Sequence, residues 1–149
     1  MNALRRIVGL LVLLLPLAGC AGEPSLPTVS LKGVQYQVEI ADELPEQTQG
    51  MMFRRELAAD RGMLFVYAQA QSQAFWMRNC HIALDILFFD AQGRFINGHY
   101  SAPPCNSGQC PTYDSQRPAR YVLELAGGVG RALGLKEGDP LTLPQLPAG

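Results

Sequence analysis

The segment that most constrains the fold is residues 82–90 (IALDILFFD). Successive side chains of a β-strand point to opposite faces of the sheet. Ile86 and Phe88 would therefore lie on one face of such a strand, and Leu87 and Phe89 on the other. Because both faces are apolar, the segment is predicted to be a strand that is covered on both sides. Other parts of the chain must then pack against both faces of its sheet.

Weaker strand patterns are spread along the rest of the chain. Residues 34–40 alternate apolar and polar side chains, which is typical of a strand with one buried face. A turn at residues 90–93 (DAQG) should connect the central strand to a returning strand in a hairpin. The other strands are predicted over residues 31–41, 62–67, 73–79, 94–100, 120–125 and 141–143.

Two short helices complete the predicted elements. One lies within residues 42–57, where Asp42 and Glu43 suit a helix N-terminus, and the other lies within residues 126–135. Residues 101–118 are rich in proline and should form a long irregular loop. Together these elements predict the α+β class: a single β-rich domain with a twisted, mostly antiparallel sheet or partial barrel and one or two short helices.

The N-terminal residues have the pattern of an export signal. Arg5 and Arg6 are followed by an apolar run over residues 7–17, which is too short to span a bilayer core of about 30 Å comfortably. A positive start, a short apolar stretch and small residues after it are typical of a secretory signal peptide. We therefore predict that residues 1–19 form a signal peptide.

The end of that segment indicates a lipid anchor. Residues 17–20 (LAGC) resemble the lipobox of bacterial lipoproteins, in which the cysteine is acylated, for example with palmitate, and becomes the new N-terminus. The alternative is an ordinary signal peptide with a cysteine near its cleavage site. We predict lipidation at Cys20, a flexible tether over residues 20–30 and a globular domain over residues 31–149. The protein should be anchored in the cell envelope, on the outer membrane facing the periplasm if the host has one.

Charge and cysteine content narrow the possible partners. The chain has 12 Lys and Arg residues against 13 Asp and Glu residues, without a basic run, so nucleic acid is not an expected partner. In an oxidising compartment Cys105 and Cys110 should form a disulfide bond. Cys80 is then left as a small buried apolar side chain or, alternatively, as a reactive thiol. No metal or cofactor is expected.

Several short strings, in a fixed order, resemble one known family. They are residues 50–54 (GMMFR), 62–66 (GMLFV), 75–79 (FWMRN), 84–89 (LDILFF), 90–93 (DAQG), 111–113 (PTY) and 121–127 (YVLELAG). The series is similar to the bacterial and archaeal family called domain of unknown function 192 and covers roughly residues 35–143. The resemblance implies a compact, β-rich domain, in many members an exported one, and it implies no established reaction. Cys80 departs from the family pattern, which usually has threonine there.

Charged and amide side chains within apolar strings mark a candidate site. A buried Asp85 requires a partner, and Arg54 or Arg78 are the available cations. The side chains could form a structural network, or they could form the floor of a pocket walled by Trp76, Tyr113 and Tyr121. The candidate ligand-binding residues are Arg54, Trp76, Arg78, Asn79, Asp85, Tyr113 and Glu124.

Three functional hypotheses follow. The first is a non-catalytic binding or accessory module for a small polar ligand or an envelope component, because no nucleophile–base pair is evident and no catalytic residue can be assigned. The second is a cell-envelope hydrolase that uses Asp85 or Glu124 as acid or base. The third is copper handling through thioethers, although core packing is the commoner role of methionine. The methionines concerned are Met51, Met52, Met63 and Met77.

Overall fold

The computed structural model describes residues 25–106 and 108–145. The predicted signal peptide, the predicted lipidation site Cys20 and the first part of the predicted tether lie outside these residues. The described strands are β1 (Thr28–Leu31), β2 (Val34–Ala41), β3 (Arg61–Gln71), β4 (Ala74–Trp76), β5 (Leu84–Phe89), β6 (Phe95–Ala102), β7 (Thr112–Asp114), β8 (Ala119–Ala126) and β9 (Leu141–Thr142). The described helices are α1 (Leu44–Gln49) and α2 (Val129–Ala132).

Most of the strands form one curled sheet. Its seven strands lie in the order β6-β5-β8-β3-β2-β1-β9, and β4 and β7 form a separate two-stranded ribbon. Strand β2 pairs with β3 in parallel, and the other pairings are antiparallel. The sheet curls into a half-barrel, which confirms the predicted β-rich α+β domain with short helices.

Strand β5 has the environment that its sequence predicts. All six of its residues are buried, because the sheet is covered on both sides. We call one side the front face and the other the back face. Side chains on the front face include Met63, Phe65, Ile86, Phe88 and Val122. Side chains on the back face include Leu64, Leu87, Phe89, Leu123 and Leu125.

Different parts of the chain cover the two faces. The front face packs against Met51, in the turn after α1, and against Met77 and Cys80, which follow β4. The back face packs against Val29 and Leu141 from the far strands of the same curled sheet. The sheet therefore closes on its own back face, whereas the front face is roofed by irregular segments.

Some element boundaries differ from the prediction. Strand β1 begins at Thr28, inside the segment predicted as tether, because Val29 and Leu31 are fully buried. Strand β3 continues to Gln71, beyond the predicted end at residue 67. Helix α1 ends at Gln49, much earlier than residue 57, because Gly50 adopts a φ of 47° that is incompatible with a helix.

The segment of residues 75–80 does not alternate as a continuous strand would. Strand β4 ends at Trp76, and Asn79 adopts a left-handed φ of 59°. Met77 and Cys80, which alternation places on opposite sides, are therefore both buried against the front face. The left-handed residue turns the chain between them.

Neither described helix has the length and apolar content that a membrane-spanning helix requires. The Cys105–Cys110 disulfide bond is present, as predicted. Cys80 is a free, buried thiol, which agrees with its interpretation as a small apolar side chain.

Candidate functional site

Glu124 lies in the middle of the front face. It is on strand β8, opposite Met63 of β3 and Ile86 of β5, and only 4% of its surface is exposed. Alternation places it on the same face as Val122, within the apolar front cluster. In the described part of the chain its carboxyl group makes no hydrogen bond and no ion pair within 4 Å. An acid in this position is unusual, because buried polar groups nearly always have partners.

The surroundings of Glu124 favour the protonated carboxyl group. Burial raises the pKa of Glu124 from 4.5 to about 8, and the positive charge of Arg54 opposes this change only in part. Burial reduces solvation of the carboxylate by water, so the neutral acid has the lower free energy. At neutral pH the acid is therefore mainly protonated and can donate one hydrogen bond.

A cavity of about 90 Å³ lies over this carboxyl group. Residues 47–52, from α1 and its following turn, form one side of the cavity. Phe65, Phe75 and Trp76 form aromatic walls, and Cys80 and Glu124 complete the lining. The Phe65 and Phe75 rings meet edge to face, with centroids 4.9 Å apart, so these two walls are fixed by packing.

Two exposed aromatic side chains lie close to the segment that frames the cavity. Trp76 is 47% exposed and lines the cavity itself, and Phe53 is 62% exposed. The backbone N–H of Phe53 donates to the carbonyl of Asn79 at 2.8 Å, and both residues have a left-handed φ, of 66° and 59°. Strained backbone at non-glycine residues is found most often where a function requires it. The bond joins the turn after α1 to the segment after β4.

The charge of Glu124 contributes to the raised pKa values of two further titratable groups. Burial, with a smaller contribution from Glu124, raises the pKa of the Cys80 thiol to about 11. Burial and then Glu124 likewise raise the pKa of Tyr67 to about 12. The Cys80 thiol is thus protonated at neutral pH and is a poor nucleophile.

The two candidate arginines are not joined to Asp85. Arg54 forms an ion pair with Glu39 at the edge of the front face. The Arg78 guanidinium lies over the Trp76 ring, 5.3 Å from its centroid. Both arginines flank the cavity region, but neither supplies the partner that was expected for the buried aspartate.

Asp85 is bound by backbone amides instead. The side chain is fully buried, and its carboxylate accepts hydrogen bonds from Ser101 N at 2.6 Å, Gly128 N at 2.8 Å and Arg131 N at 3.1 Å. Gly128 and Arg131 belong to the start of α2, so Asp85 fixes this helix to the sheet. Asp85 is on the side of the sheet opposite Glu124 and does not reach the cavity.

The two candidate tyrosines lie away from the cavity. Tyr113 pairs with Phe75 in the β4–β7 ribbon and packs against His99 at a centroid distance of 5.3 Å. Tyr121 is buried in the back cluster and therefore cannot be a pocket wall. Of the candidate residues, the structure brings Trp76 and Glu124 together in the cavity, with Asn79 shaping its surroundings.

Several cavity residues were not predicted from the sequence. Phe65, Phe75 and Gln47 were not among the candidate ligand-binding residues. In the structure the Gln47 amide nitrogen donates to the carbonyl of Val66 at 3.1 Å, which attaches α1 to β3 beside the cavity. The uncharacteristic glutamate within an apolar strand was the one sequence signal for this site.

The candidate methionines lie at the cavity or in the front cluster. Met51 and Met52 line the cavity, and Met51 is also buried in the front cluster together with Met63 and Met77. The described residues contain no group of three or more His, Cys, Asp or Glu side chains that could hold a metal ion. Met52 also accepts a contact from the Asn79 amide nitrogen at 3.8 Å.

The family model of domain of unknown function 192, described as an uncharacterized ACR, matches residues 27–143. The chain belongs to this family. No curated protein matches it. The domain of unknown function 192 therefore brings a shared fold to the chain but no assigned reaction.

Two solved structures are similar to this member of the family. A protein of unknown function from Novosphingobium aromaticivorans is 34% identical, with a TM-score of 0.70, and the match covers 76% of this chain and 82% of that one. A protein from Sinorhizobium meliloti, with a suggested role in transcription regulation, is 36% identical, with a TM-score of 0.71, and the match covers 80% of this chain and 96% of that one.

Proposed function

We propose that this protein is a lipid-anchored envelope protein that binds a small polar ligand in the Glu124 cavity without catalysing a reaction. The observation that carries the proposal is a 4% exposed carboxyl group that has no hydrogen-bond partner among the described residues and lines a cavity of about 90 Å³ with aromatic walls. Apolar walls with one or a few polar groups are typical of small-molecule sites. A ligand that hydrogen-bonds to Glu124 would supply the hydrogen-bond partner that the described residues do not provide.

The distribution of carboxyl groups favours binding over hydrolysis. Most glycoside hydrolases use a pair of carboxyl groups that flank the bond to be cleaved. Here Asp85 is committed to three backbone N–H groups on the other side of the sheet. Within the described residues Glu124 is the only carboxyl group that lines the cavity, and the thiol beside it has a pKa of about 11.

Blocking the cavity tests the binding proposal. Ala74 lines the cavity and is exposed, so Ala74→Phe should fill the entrance while leaving the core unchanged. The matched control is Ala70→Phe, at an exposed position of β3 outside the cavity. We expect a fragment screen by protein-observed NMR to give shifts around Glu124 that Ala74→Phe abolishes and Ala70→Phe retains. Shifts that survive Ala74→Phe, or no fragment binding at all, would refute the proposal.

The membrane anchor is supported by the sequence of residues 17–20 and rests on Cys20. An acylated cysteine with more than one chain gives stable membrane attachment. Cys20→Ala should move the protein from the membrane fraction to the soluble fraction and abolish incorporation of labelled palmitate. Cys80→Ser, at a buried thiol of the domain, is the control that should leave both unchanged. Unchanged fractionation of Cys20→Ala would exclude the anchor.

Copper handling is a second candidate, because Met51, Met52 and Cys80 line the same cavity. Thioether and thiolate sulfur atoms are soft ligands that suit Cu(I). The high pKa of Cys80 weighs against thiolate coordination at neutral pH. Titration of the soluble domain with Cu(I) under a competing chelator distinguishes the two candidates, since Met52→Leu should abolish copper binding and retain fragment binding.

A role in transcription, as suggested for the Sinorhizobium meliloti protein, is less well supported for this chain. Acidic residues outnumber basic residues, and DNA-binding proteins need a basic surface to contact phosphates. A proposed export signal also places the domain away from the chromosome.

A further inference from the structure

We infer that the group bound in the Glu124 cavity is the acetamido group of an N-acetylated amino sugar, whose ring stacks on Trp76. This inference rests on the proposed binding function and adds the chemical class of the ligand. It combines four features of the described structure: the size of the cavity, its apolar walls, its hydrogen-bonding groups and the exposed indole at its edge.

The size of the cavity admits a head group rather than a whole ligand. Its volume is about 90 Å³. A space of this size admits a few water molecules or a small planar group. We therefore place the planar acetamido group inside the cavity and the larger pyranose ring at its rim. The rest of the ligand must therefore lie outside, against the rim.

The walls suit a methyl group. Phe65 and Phe75 present aromatic surface, and Met52 adds an adaptable thioether. Burying a methyl group against such surfaces is favourable, at about 25 cal/mol per Å² of apolar area removed from water. A charged or fully polar head group would gain nothing from these three walls.

The polar groups suit an amide. A protonated Glu124 can donate to the ligand carbonyl oxygen. The N–H of a trans amide points away from its carbonyl oxygen and needs a different acceptor. The nitrogen of Gln47 already donates to the backbone, to Ala41 O at 3.4 Å and Val66 O at 3.1 Å. Its amide oxygen receives no donor within the described residues, and we assign it as the acceptor for the ligand N–H.

The charges around the cavity disfavour a cationic ligand. The Arg78 guanidinium lies 5.3 Å from the centre of the Trp76 ring and would repel an ammonium group that enters beside it. The Arg54 charge also acts on Glu124, although Arg54 is paired with Glu39. A neutral ligand group avoids this repulsion and leaves Glu124 in its protonated form.

The exposed indole of Trp76 is the reason for proposing a sugar ring as the rest of the ligand. Trp76 lines the cavity and is 47% exposed, and the Arg78 guanidinium lies over its ring, 5.3 Å from the centroid. The ring attached to a bound group would therefore pack on the part of the indole that Arg78 leaves open. The apolar face of a pyranose packs well on an indole surface, because aromatic side chains combine large contact area with low flexibility. An acetyl group on a flexible lysine side chain would not use this surface in the same way.

The single tryptophan makes the binding measurable. Because Trp76 is the only tryptophan in the chain, its fluorescence and its indole N–H resonance report directly on the rim. We expect N-acetylglucosamine to bind at least ten times more tightly than glucose, which lacks the acetamido group. It should also bind at least ten times more tightly than acetamide or Nε-acetyl-lysine, which lack the ring.

Variants of Glu124 test the role of the acid as a donor. Glu124→Gln keeps an N–H donor and a carbonyl acceptor and should bind N-acetylglucosamine within about threefold of the wild type, a difference of less than about 1 kcal/mol. Glu124→Leu fills the same space without hydrogen bonds and should lose at least tenfold in affinity. Glu56→Gln, at an exposed carboxyl group outside this cavity, is the control and should have no effect.

The pH dependence provides a second readout. The groups that interact with Glu124 are Arg54, which is paired with Glu39, and the Cys80 thiol and Tyr67 hydroxyl, whose pKa values are about 11 and 12. Affinity for N-acetylglucosamine should therefore be constant below pH 8, the pKa of Glu124, and fall above it. Glu124→Gln should remove this dependence.

The outcomes separate the inference from the proposal beneath it. Equal binding of glucose and N-acetylglucosamine, or preferred binding of butylammonium with affinity that rises with pH, would overturn the acetamido assignment. Absence of any N-acetylglucosamine binding would overturn it as well. In each case fragment shifts that Ala74→Phe abolishes would still support a binding cavity, whereas their absence would refute both.

Discussion

Two buried carboxyl groups on neighbouring strands have opposite surroundings. Asp85 on β5 and Glu124 on β8 are offset by one residue in the pairing register, so they point to opposite faces of the sheet. Asp85 is fully buried and accepts three backbone hydrogen bonds, whereas Glu124 is 4% exposed and accepts none within the described residues. The two carboxyl groups are thus buried to a similar degree, but within the described residues only Asp85 has hydrogen-bond donors.

The difference indicates different roles. A carboxylate with several N–H donors stabilises the fold, because those donors would otherwise be buried without partners. A carboxyl group without partners reduces stability when it ionises, and such groups cluster at functional sites. On this comparison Asp85 maintains the architecture, and Glu124 is the carboxyl group on which the proposed binding depends.

The largest effect is expected from removing Asp85. Asp85→Ala leaves the N–H groups of Ser101, Gly128 and Arg131 without their acceptor. Since each unsatisfied buried donor costs about 1–3 kcal/mol, the free energy of unfolding should fall by about 3 kcal/mol or more. Urea unfolding followed by circular dichroism measures the change. Asp60→Ala, at an exposed carboxyl group, should stay within about 0.5 kcal/mol of the wild type. A loss as small as that of the control would contradict the role given to Asp85.

A pH-dependent effect is expected at Glu124, smaller over any single pH unit than the effect of removing Asp85. Its pKa is about 8 in the folded protein and returns to about 4.5 on unfolding. Between these values the folded state holds a proton that the unfolded state has released. The stability contributed by the protonated acid is therefore complete below pH 4.5 and is lost as the pH rises through 8.

Glu124→Gln removes this titration and should flatten the curve. The stability of the wild type relative to Glu124→Gln should fall across the window by up to about 1.4 kcal/mol per pH unit and level off above it. Thermal or urea unfolding at a series of pH values measures the difference, and Glu56→Gln should follow the wild type. Parallel curves for the wild type and Glu124→Gln would show that the two carboxyl groups do not differ as described.

The smallest effect concerns Arg54, the cation among the described residues that acts on Glu124. The Arg54 charge lowers the pKa of Glu124 against the larger effect of burial, so Arg54→Gln should raise that pKa further. Arg55→Gln is the matched control, since its exposed side chain belongs to the neighbouring residue. Carbon-detected NMR titration of the Glu124 carboxyl group measures both variants. A pKa that falls, or that moves equally in both, would remove Arg54 from this account.

Much of the fold could be predicted because it depends on local patterns. The apolar residues on both faces of β5 require cover on two sides, and the turn at residues 90–93 leads into β6 as predicted. Boundaries were less predictable where backbone geometry decides them. The left-handed conformation at Asn79 ends the alternation after β4 and places Met77 and Cys80 on the same side.

The site was less predictable because it depends on long-range pairing. The sequence shows that Asp85 needs partners, but backbone N–H groups carry no signature in the sequence, and arginines were expected instead. Trp76 and Glu124 were both candidates, yet their meeting depends on how β8 inserts between β3 and β5. Tyr121 follows the opposite alternation on β8 and so lies on the back face.

The disulfide loop has a mechanical connection to the Trp76 segment. Cys105 N donates to Met77 O, and Asn79 N donates to Cys105 O, each at 3.2 Å. Main-chain hydrogen bonds therefore join the disulfide loop to the segment that follows Trp76. Any displacement of the loop is passed directly to the roof over the front face. Formation of the disulfide bond therefore fixes the shape of the segments that cover the front face, although the loop itself does not line the cavity.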